Sequence, residues 1–110
     1  MRGDVVLLDF PFAEGGGAKV RPALVVQSEG IATIHTIVAQ ITSARQRMLP
    51  SRLLVNPTDE PESGLRLPSL IVCEQLYTIR KDRILRTLGS LSATTMRGVD
   101  DCLKAALGLP

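Results

Sequence analysis

The feature that most constrains the fold is a series of short apolar runs, rich in β-branched residues, which proline, glycine or charged residues interrupt. The first run ends at Pro11, and the second begins directly after Pro22. Runs of this length and composition are typical of strands, and proline is tolerated at a strand's first residue. They predict strands over residues 5–10, 23–27, 33–41, 53–55, 69–73 and, after a charged turn, 84–88.

The end of the chain follows a different pattern, which is typical of a helix. Ser92 is a natural N-cap, and Leu91 and Met96 occupy the positions of a hydrophobic staple. Apolar side chains then recur at helical spacing at Met96, Val99, Leu103 and Leu107. Gly108 and Pro110 end the helix. Short strands followed by one packed helix predict a mainly β fold with a C-terminal α-helix, built as a small barrel.

The 110 residues are enough for one compact domain, expected to span 1–110. Aromatic residues make up only 3%, so the core must consist of Val, Leu, Ile and Ala. The net charge of +2 permits a nucleic-acid partner without requiring one. We see no signal peptide or membrane span, and Cys73 and Cys102 lie outside any C-x-x-C pattern. These observations indicate a cytoplasmic protein with buried, reduced thiols and no membrane partner.

Several kinds of chemistry find no support in the sequence. The single histidine, His35, and the carboxylates show no metal-ligand spacing, so we expect no metal and no cofactor. A catalytic triad would need His35, which alternates with apolar neighbours and is interpreted as a structural or surface residue. The glycines at 15–17 are not a phosphate-binding P-loop, because no G-K-[ST] follows them.

What remains is Arg21 at the start of one predicted strand and the Thr42-Ser43 pair at the end of another. A guanidinium offers several donors to a phosphate, and threonine adds a hydroxyl. RNA carries its own nucleophile, the 2′-hydroxyl, so an enzyme need only align it and stabilise the transition state. The alternative is structural, since R-P before a strand and T-S at a strand end are both common.

Four segments taken together give a resemblance to a known family. "RGDVVLLDFPF", "KVRPALVVQS", "IVAQITS" and "LIVCEQLYTIRKDRILRTLGSLS" resemble, in this order, the landmarks of the MazF/PemK/Kid-like toxins of type II toxin–antitoxin systems. The resemblance covers nearly the whole chain. It implies an SH3-like β-barrel with a C-terminal helix, a homodimer, and a cognate antitoxin that blocks the RNA site. It also implies metal-independent cleavage of single-stranded RNA at short motifs, leaving a 2′,3′-cyclic phosphate and a 5′-hydroxyl.

The resemblance also implies roles for particular residues. Arg21 matches a catalytic arginine that stabilises the transition state, and Thr42 matches a catalytic threonine that donates to the phosphate. Ser43 lies beside Thr42 and is a further candidate for substrate contact. Glu74 falls at an acidic position that in the Kid-like branch is a general base, although a structural hydrogen bond is the alternative here. Gln75 either orients the site or packs.

Two positions depart from the Kid-like pattern. Val72 stands where that branch has an arginine that acts as a general acid, so the role is empty here. The first loop lacks that branch's histidine, and Lys19 is the remaining cation. Both departures favour a mechanism that relies on Arg21 and Thr42.

Contacts along an RNA strand would need further cations and a stacking surface. Arg45, Arg47 and Arg52 follow Thr42 closely and are predicted to contact RNA, with Phe12 as a candidate stacking platform or core residue. A second basic group, which fits either RNA contact or an ordinary solvated turn, comprises Arg80, Lys81, Arg83 and Arg86.

Two other functions remain open from the sequence. One is a toxin of the same fold that does not cleave RNA and binds a protein target such as gyrase. The other is an RNA-binding barrel that leaves its RNA uncut. The sequence does not indicate which RNA motif would be recognised.

Overall fold

The computed structural model describes residues 1–10 and 19–110, so the glycine run at 15–17 lies outside it. Two short 3-10 turns, Pro61–Ser63 and Lys81–Arg83, lie among the longer elements. The longer elements, in chain order, are β1 (Asp4–Phe10), β2 (Lys19–Val25), β3 (His35–Ser43), β4 (Arg52–Val55), β5 (Ser69–Arg80), β6 (Ile84–Ser90) and α1 (Ala93–Leu107). The prediction of a mainly β chain with a C-terminal helix is confirmed.

The six strands form one antiparallel sheet in the order β4-β5-β3-β2-β1-β6. Among the described residues no ladder joins β4 to β6, so these two strands are the edges of the sheet. The sheet is therefore not closed by hydrogen bonds, but it is compatible with the expected barrel-like fold. The β2 and β3 strands, which carry Arg21 and Thr42, are neighbours near its centre.

The bounds of β2 and β5 differ most from those that the sequence predicted. β2 begins at Lys19, so Pro22 lies inside the strand and not at its start. The ladder between β2 and β3 stops at Ala23, next to Pro22, which has no N–H to donate. β5 continues past Cys73 to Arg80, because a shift of register against β3 lets the strand pass Glu74.

The sheet buries apolar side chains in two clusters. One lies against α1 and includes both staple residues, Leu91 and Met96, which are buried as predicted. The other cluster is formed by residues of β1, β2, β3 and β5, and it consists of aliphatic side chains together with Phe10. The prediction that Leu107 faces the core is wrong, because it is exposed. The helix packs through Val99, Cys102, Leu103 and Ala106 instead, and Leu107 lies to one side of that stripe.

The polar segment before β5 packs against the start of the helix. Glu60 is buried, and its carboxylate accepts hydrogen bonds at 2.9 Å from both the N–H and the hydroxyl of Ser92, the N-cap. Burial raises the pKa of Glu60, but the hydrogen bonds from Ser92 and Thr95 outweigh it and leave the pKa below its ordinary value. Gly89 leaves no room for a side chain, because a Cβ there would lie 2.0 Å from the Glu62 carbonyl oxygen.

Candidate active site

The register of β2 against β3 places Arg21 and Thr42 at the same level of the sheet. Ala23 pairs with Gln40, and the same register continued by two residues sets Arg21 opposite Thr42. Alternate residues of a strand share a face, so the side chains of Arg21, Ala23, Gln40 and Thr42 belong to one face. The ladder between the strands stops at Ala23, so the two residues lie where the strands are no longer paired.

The polar groups of this pair have no side-chain partner in the described part of the chain. Within residues 1–10 and 19–110, no side-chain hydrogen bond or ion pair engages the guanidinium of Arg21 or the hydroxyl of Thr42. Both residues are half-buried. A half-buried guanidinium without a partner retains its five donors for a ligand.

The backbone that carries Arg21 is firmly held. On β1, Arg21 pairs with Leu8, which is fully buried, and Ala23 beside it is also fully buried. On the same face, the rings of Phe10 and Tyr77 meet edge to face, with centroids 5.2 Å apart. The Arg21–Thr42 pair therefore lies at the margin of a packed apolar cluster, which limits its movement relative to the sheet.

Glu74 is the centre of a hydrogen-bonded group that also contains Ser51 and Arg52, here called the Glu74 cluster. One carboxylate oxygen accepts from the Ser51 hydroxyl at 2.7 Å. The other accepts from Nε of Arg52 at 2.9 Å and from its Nη2 at 2.6 Å. The remaining Nη1 of Arg52 donates to the carbonyl of Arg47 at 2.9 Å. The cluster thus ties β4 and the preceding loop to β5.

These contacts change the acidity of Glu74. The hydrogen bond from Arg52 lowers the pKa of Glu74, which partial burial opposes and the bond from Ser51 reinforces. A carboxylate with a lowered pKa and both oxygens engaged is a poor acceptor for a further proton. Of the two roles open from the sequence, these contacts favour the structural one.

The strand β5 pairs with both β3 and β4, and its backbone has an irregularity at Glu74. On β3, Ala39 and Gln40 are consecutive, but their β5 partners are Leu76 and Val72, so residues 73–75 bulge out of this ladder. Bulges redirect side chains and often occur beside active sites. Val72, where a Kid-like toxin would have its arginine, is buried and pairs with Gln40 and Arg52.

The other predicted contact residues surround the end of β3. The Ser43 hydroxyl accepts from the N–H of Arg45 at 3.2 Å and thereby stabilises the turn that follows. Arg45 and Arg47 are exposed in the loop between β3 and β4. Gln75 is exposed beside Glu74, and its side-chain oxygen accepts from the Tyr77 hydroxyl at 3.1 Å.

Of two further predicted contact residues, the structure describes only the backbone of one and does not describe the other. Lys19 is the first residue of β2, and its backbone pairs with Phe10. Phe12 lies outside the described residues. Roles for both stay predictions.

Other candidates lie away from the Arg21–Thr42 pair. His35 is exposed and pairs with Arg80 at the opposite end of β3 from Thr42. Arg80 forms an exposed ion pair with Asp82 at 3.0 Å. Across the described ranges, no three His, Cys, Asp or Glu side chains come together as a metal site would require. Cys73 and Cys102 are free and buried, and burial raises the pKa of Cys73 to about 12.

Sequence reasoning missed Ser51 and the pairing of Arg52 with Glu74. Ser51 lies 23 residues from Glu74, and Arg52 was grouped with the RNA-binding cations. No local motif links these three positions. The sequence places Arg52 directly before the strand predicted over 53–55, and in the structure it is the first residue of β4, where its backbone pairs with Val72.

A family model described as "PemK-like, MazF-like toxin of type II toxin-antitoxin system" matches residues 1–107. The chain belongs to this family. Among its curated relatives, the endoribonuclease EndoA of Bacillus subtilis is 32% identical and covers 98% of this chain and 94% of EndoA. The endoribonuclease MazF9 of Mycobacterium tuberculosis is 29% identical and covers 98% of this chain and 96% of MazF9.

Solved structures of PemK/MazF-like toxins have the same fold. A mycobacterial endoribonuclease in complex with its cognate antitoxin superposes with a TM-score of 0.81 at 25% identity, covering 100% of this chain and 96% of the other. The Mycobacterium tuberculosis toxin MazF-mt6 superposes with a TM-score of 0.79 at 23% identity, covering 97% and 98%. In the part of the chain that the structure describes, no helix is long and apolar enough to span a membrane.

Proposed function

We propose that this toxin is an endoribonuclease that cleaves single-stranded RNA at preferred motifs, and that Arg21 and Thr42 carry the reaction without a metal or cofactor. The proposal is carried by the register of β2 against β3, which sets the two residues opposite each other when it is continued two residues past the ladder. It is also supported by donors that no side chain in the described ranges engages. The relatives named endoribonucleases, which match nearly end to end, support the same activity.

The proposed reaction is an intramolecular transesterification. The 2′-oxygen of the RNA attacks the adjacent phosphorus, the new P–O2′ bond forms, and the bond from phosphorus to the 5′-oxygen breaks. The 2′-hydroxyl loses one proton and the departing 5′-oxygen gains one, so no net proton or water is consumed. The products are a 2′,3′-cyclic phosphate and a 5′-hydroxyl.

Arg21 and Thr42 act on the charge that develops in this step. The phosphorane transition state carries more negative charge on its oxygens than the starting phosphodiester does. Donors already fixed before the reaction stabilise this charge without reorganising. Arg21 supplies charged donors and Thr42 supplies a hydroxyl, while the pKa of a guanidinium, above about 12, argues against Arg21 as a proton carrier.

Residues around the pair would hold the RNA strand. Arg45 and Arg47 are exposed cations beside Thr42 and are proposed to contact phosphates. Ser43, Gln75, Lys19 and Phe12 complete the proposed contact surface, Phe12 as the stacking residue.

The proposed partners follow from the family. The mycobacterial structure solved with its cognate antitoxin supports an antitoxin partner for this chain. We further propose that the toxin forms a single domain over 1–110, acts as a homodimer and works in the cytoplasm, where messenger RNA is accessible.

The direct test is cleavage of mixed-sequence single-stranded RNA in EDTA by purified protein. Wild type should cut and Arg21→Ala should not. Arg80→Ala, at the end of β5 that pairs with His35, should cut as wild type does. Intact RNA over many substrates would overturn the proposal. If toxicity survived in Arg21→Ala, a protein target would be favoured. Binding with steep salt dependence and no cleavage would favour an RNA-binding barrel.

A further inference from the structure

We propose that Glu74 is a positioning residue: through Ser51 and Arg52 it holds the loop at 44–51 beside the Arg21–Thr42 pair, and it thereby governs which RNA sequences are cut. This inference rests on the proposed function. It assigns to the acidic position a task different from that of the base in the Kid-like branch.

The first support is the origin of the parts of the Glu74 cluster. Glu74 comes from the bulge of β5, Ser51 from the end of the loop, and Arg52 from the start of β4. Arg52 then reaches back to the carbonyl of Arg47, which lies inside the loop. One carboxylate therefore connects three segments, and its removal would leave the second half of the loop without its side-chain contacts.

The second support is how the loop is fastened along its length. The N–H of Gln46 donates to the Ser43 carbonyl at 3.3 Å, which closes a turn directly after β3. The N–H of Arg52 donates to the Leu49 carbonyl at 2.9 Å, and the Ser51 carbonyl accepts from Cys73 at 3.0 Å. Side-chain contacts from the Glu74 cluster reinforce only this second half. The loop begins immediately after Thr42 and Ser43, so its conformation decides what surrounds them.

The third support is the distribution of charge. Glu74 neutralises Arg52, whose side chain is only 17% exposed, and this arginine is withdrawn from phosphate contact. Within the described chain, Arg45 and Arg47 have no ion pair and remain exposed on the same loop. The cluster thus removes one cation from the RNA surface and holds the backbone of another, Arg47, through its carbonyl.

The arrangement also explains why Glu74 is unsuited to remove the 2′-proton. Its two oxygens already accept three hydrogen bonds, two of them from a guanidinium. A 2′-hydroxyl would have to share an oxygen that already accepts a hydrogen bond, and transfer of its proton to Glu74 would weaken the ion pair with Arg52 that anchors the loop.

The test compares Glu74→Gln, Arg52→Ala and the double variant, with Arg80→Ala as the matched control for loss of an arginine from an exposed ion pair. If Glu74 positions the loop, both single variants should keep kcat within about threefold and raise KM by about tenfold. Both should relax the sequence preference in mapped cleavage sites, and the double variant should add little to either, because the two residues act as one unit.

Two outcomes would overturn the inference. A fall in kcat of about 10²- to 10⁴-fold in Glu74→Gln, with Arg52→Ala near wild type, would identify a general base. Unchanged cleavage sites together with unchanged hydrogen exchange at the amides of residues 46–52 would show that the loop does not depend on Glu74.

The hydrogen-exchange arm needs no RNA and separates the two proposals. Faster exchange at residues 46–52 in Glu74→Gln would support the anchoring role, whether or not wild type cuts RNA. A failure of wild type to cut RNA would contradict only the proposed function. Slower or equal exchange with intact wild-type cleavage would contradict the anchoring role alone.

Discussion

Arg21 on β2 and Arg52 on β4 lie on the same face of one sheet, with β3 and β5 between them, yet the two guanidinium groups have different surroundings. Register links Arg52 through Val72 and Gln40 to the face that carries Arg21. The guanidinium of Arg52 is engaged by Glu74 and by a loop carbonyl, whereas no side chain described in the structure engages that of Arg21. Residue type and strand position do not distinguish the arginine proposed to be catalytic from the one that is engaged structurally. The difference is that the charge of Arg52 is paired with Glu74, whereas no described side chain pairs with Arg21.

The largest expected effect is on the reaction in Arg21→Ala. Removing a preorganised donor to the transition state should lower kcat/KM by about 10²- to 10³-fold. The free energy of unfolding should stay close to that of wild type, because no side chain in the described ranges loses a partner when the Arg21 guanidinium is removed. Single-turnover cleavage and a urea titration measure the two quantities, and a large loss of stability would show that Arg21 is structural.

A smaller loss of activity is expected in Thr42→Val, which removes the hydroxyl and keeps the branched shape. Loss of a hydrogen bond to a charged group should lower kcat/KM by about 10- to 100-fold. The same cleavage assay measures it, and Thr42→Ser, which retains a hydroxyl, is the control. Activity equal to wild type in Thr42→Val would remove the threonine from the mechanism.

Arg52→Ala should show the reverse pattern, with stability affected more than chemistry. The carboxylate of Glu74 is 28% exposed at its side chain and would lose its charged partner. We expect a loss of about 1–2 kcal/mol in the free energy of unfolding by urea titration. Arg80→Ala, from an exposed pair, should change it by less than about 0.5 kcal/mol. Equal effects in the two variants would contradict the distinction drawn here.

The smallest effect concerns pH. The pKa of Glu74 is lower in the folded protein than its ordinary value of 4.5, so its contribution to stability is present above that value. The contribution is lost as the pH falls through the lower, folded pKa. The stability difference between wild type and Glu74→Gln should therefore shrink on acidification below about pH 5. Comparing the two proteins cancels the similar contribution of Glu60, and a difference that grows with acidity would contradict the lowered pKa.

Features that depend on neighbouring residues were predictable from the sequence. The start of the helix depends on residues that are close in the chain, namely Ser92 as the N-cap and Leu91 and Met96 as the staple. The structure places all three as the helix-start pattern predicts. Arg21 and Thr42 were identified from strand ends and from the family resemblance. Their placement opposite each other required the register, which no local pattern contains.

Features that depend on distant contacts were not predictable. β5 was expected to end before Glu74, because two polar residues ordinarily end a buried strand, but a bulge carries it past them. The Glu74 cluster joins positions 22 and 23 residues apart. Position 89 must be glycine because the 3-10 turn Pro61–Ser63 approaches β6 there, and this approach is visible only in the folded structure.

The most direct test of the central claim is to map 5′-hydroxyl ends in total RNA incubated with the toxin in EDTA, beside Arg21→Ala and Arg80→Ala. The account predicts new 5′-hydroxyl ends at recurring motifs, matched by 2′,3′-cyclic phosphates, with wild type and Arg80→Ala but not with Arg21→Ala. Ends that persist in Arg21→Ala, or 5′-phosphate ends in their place, would contradict it.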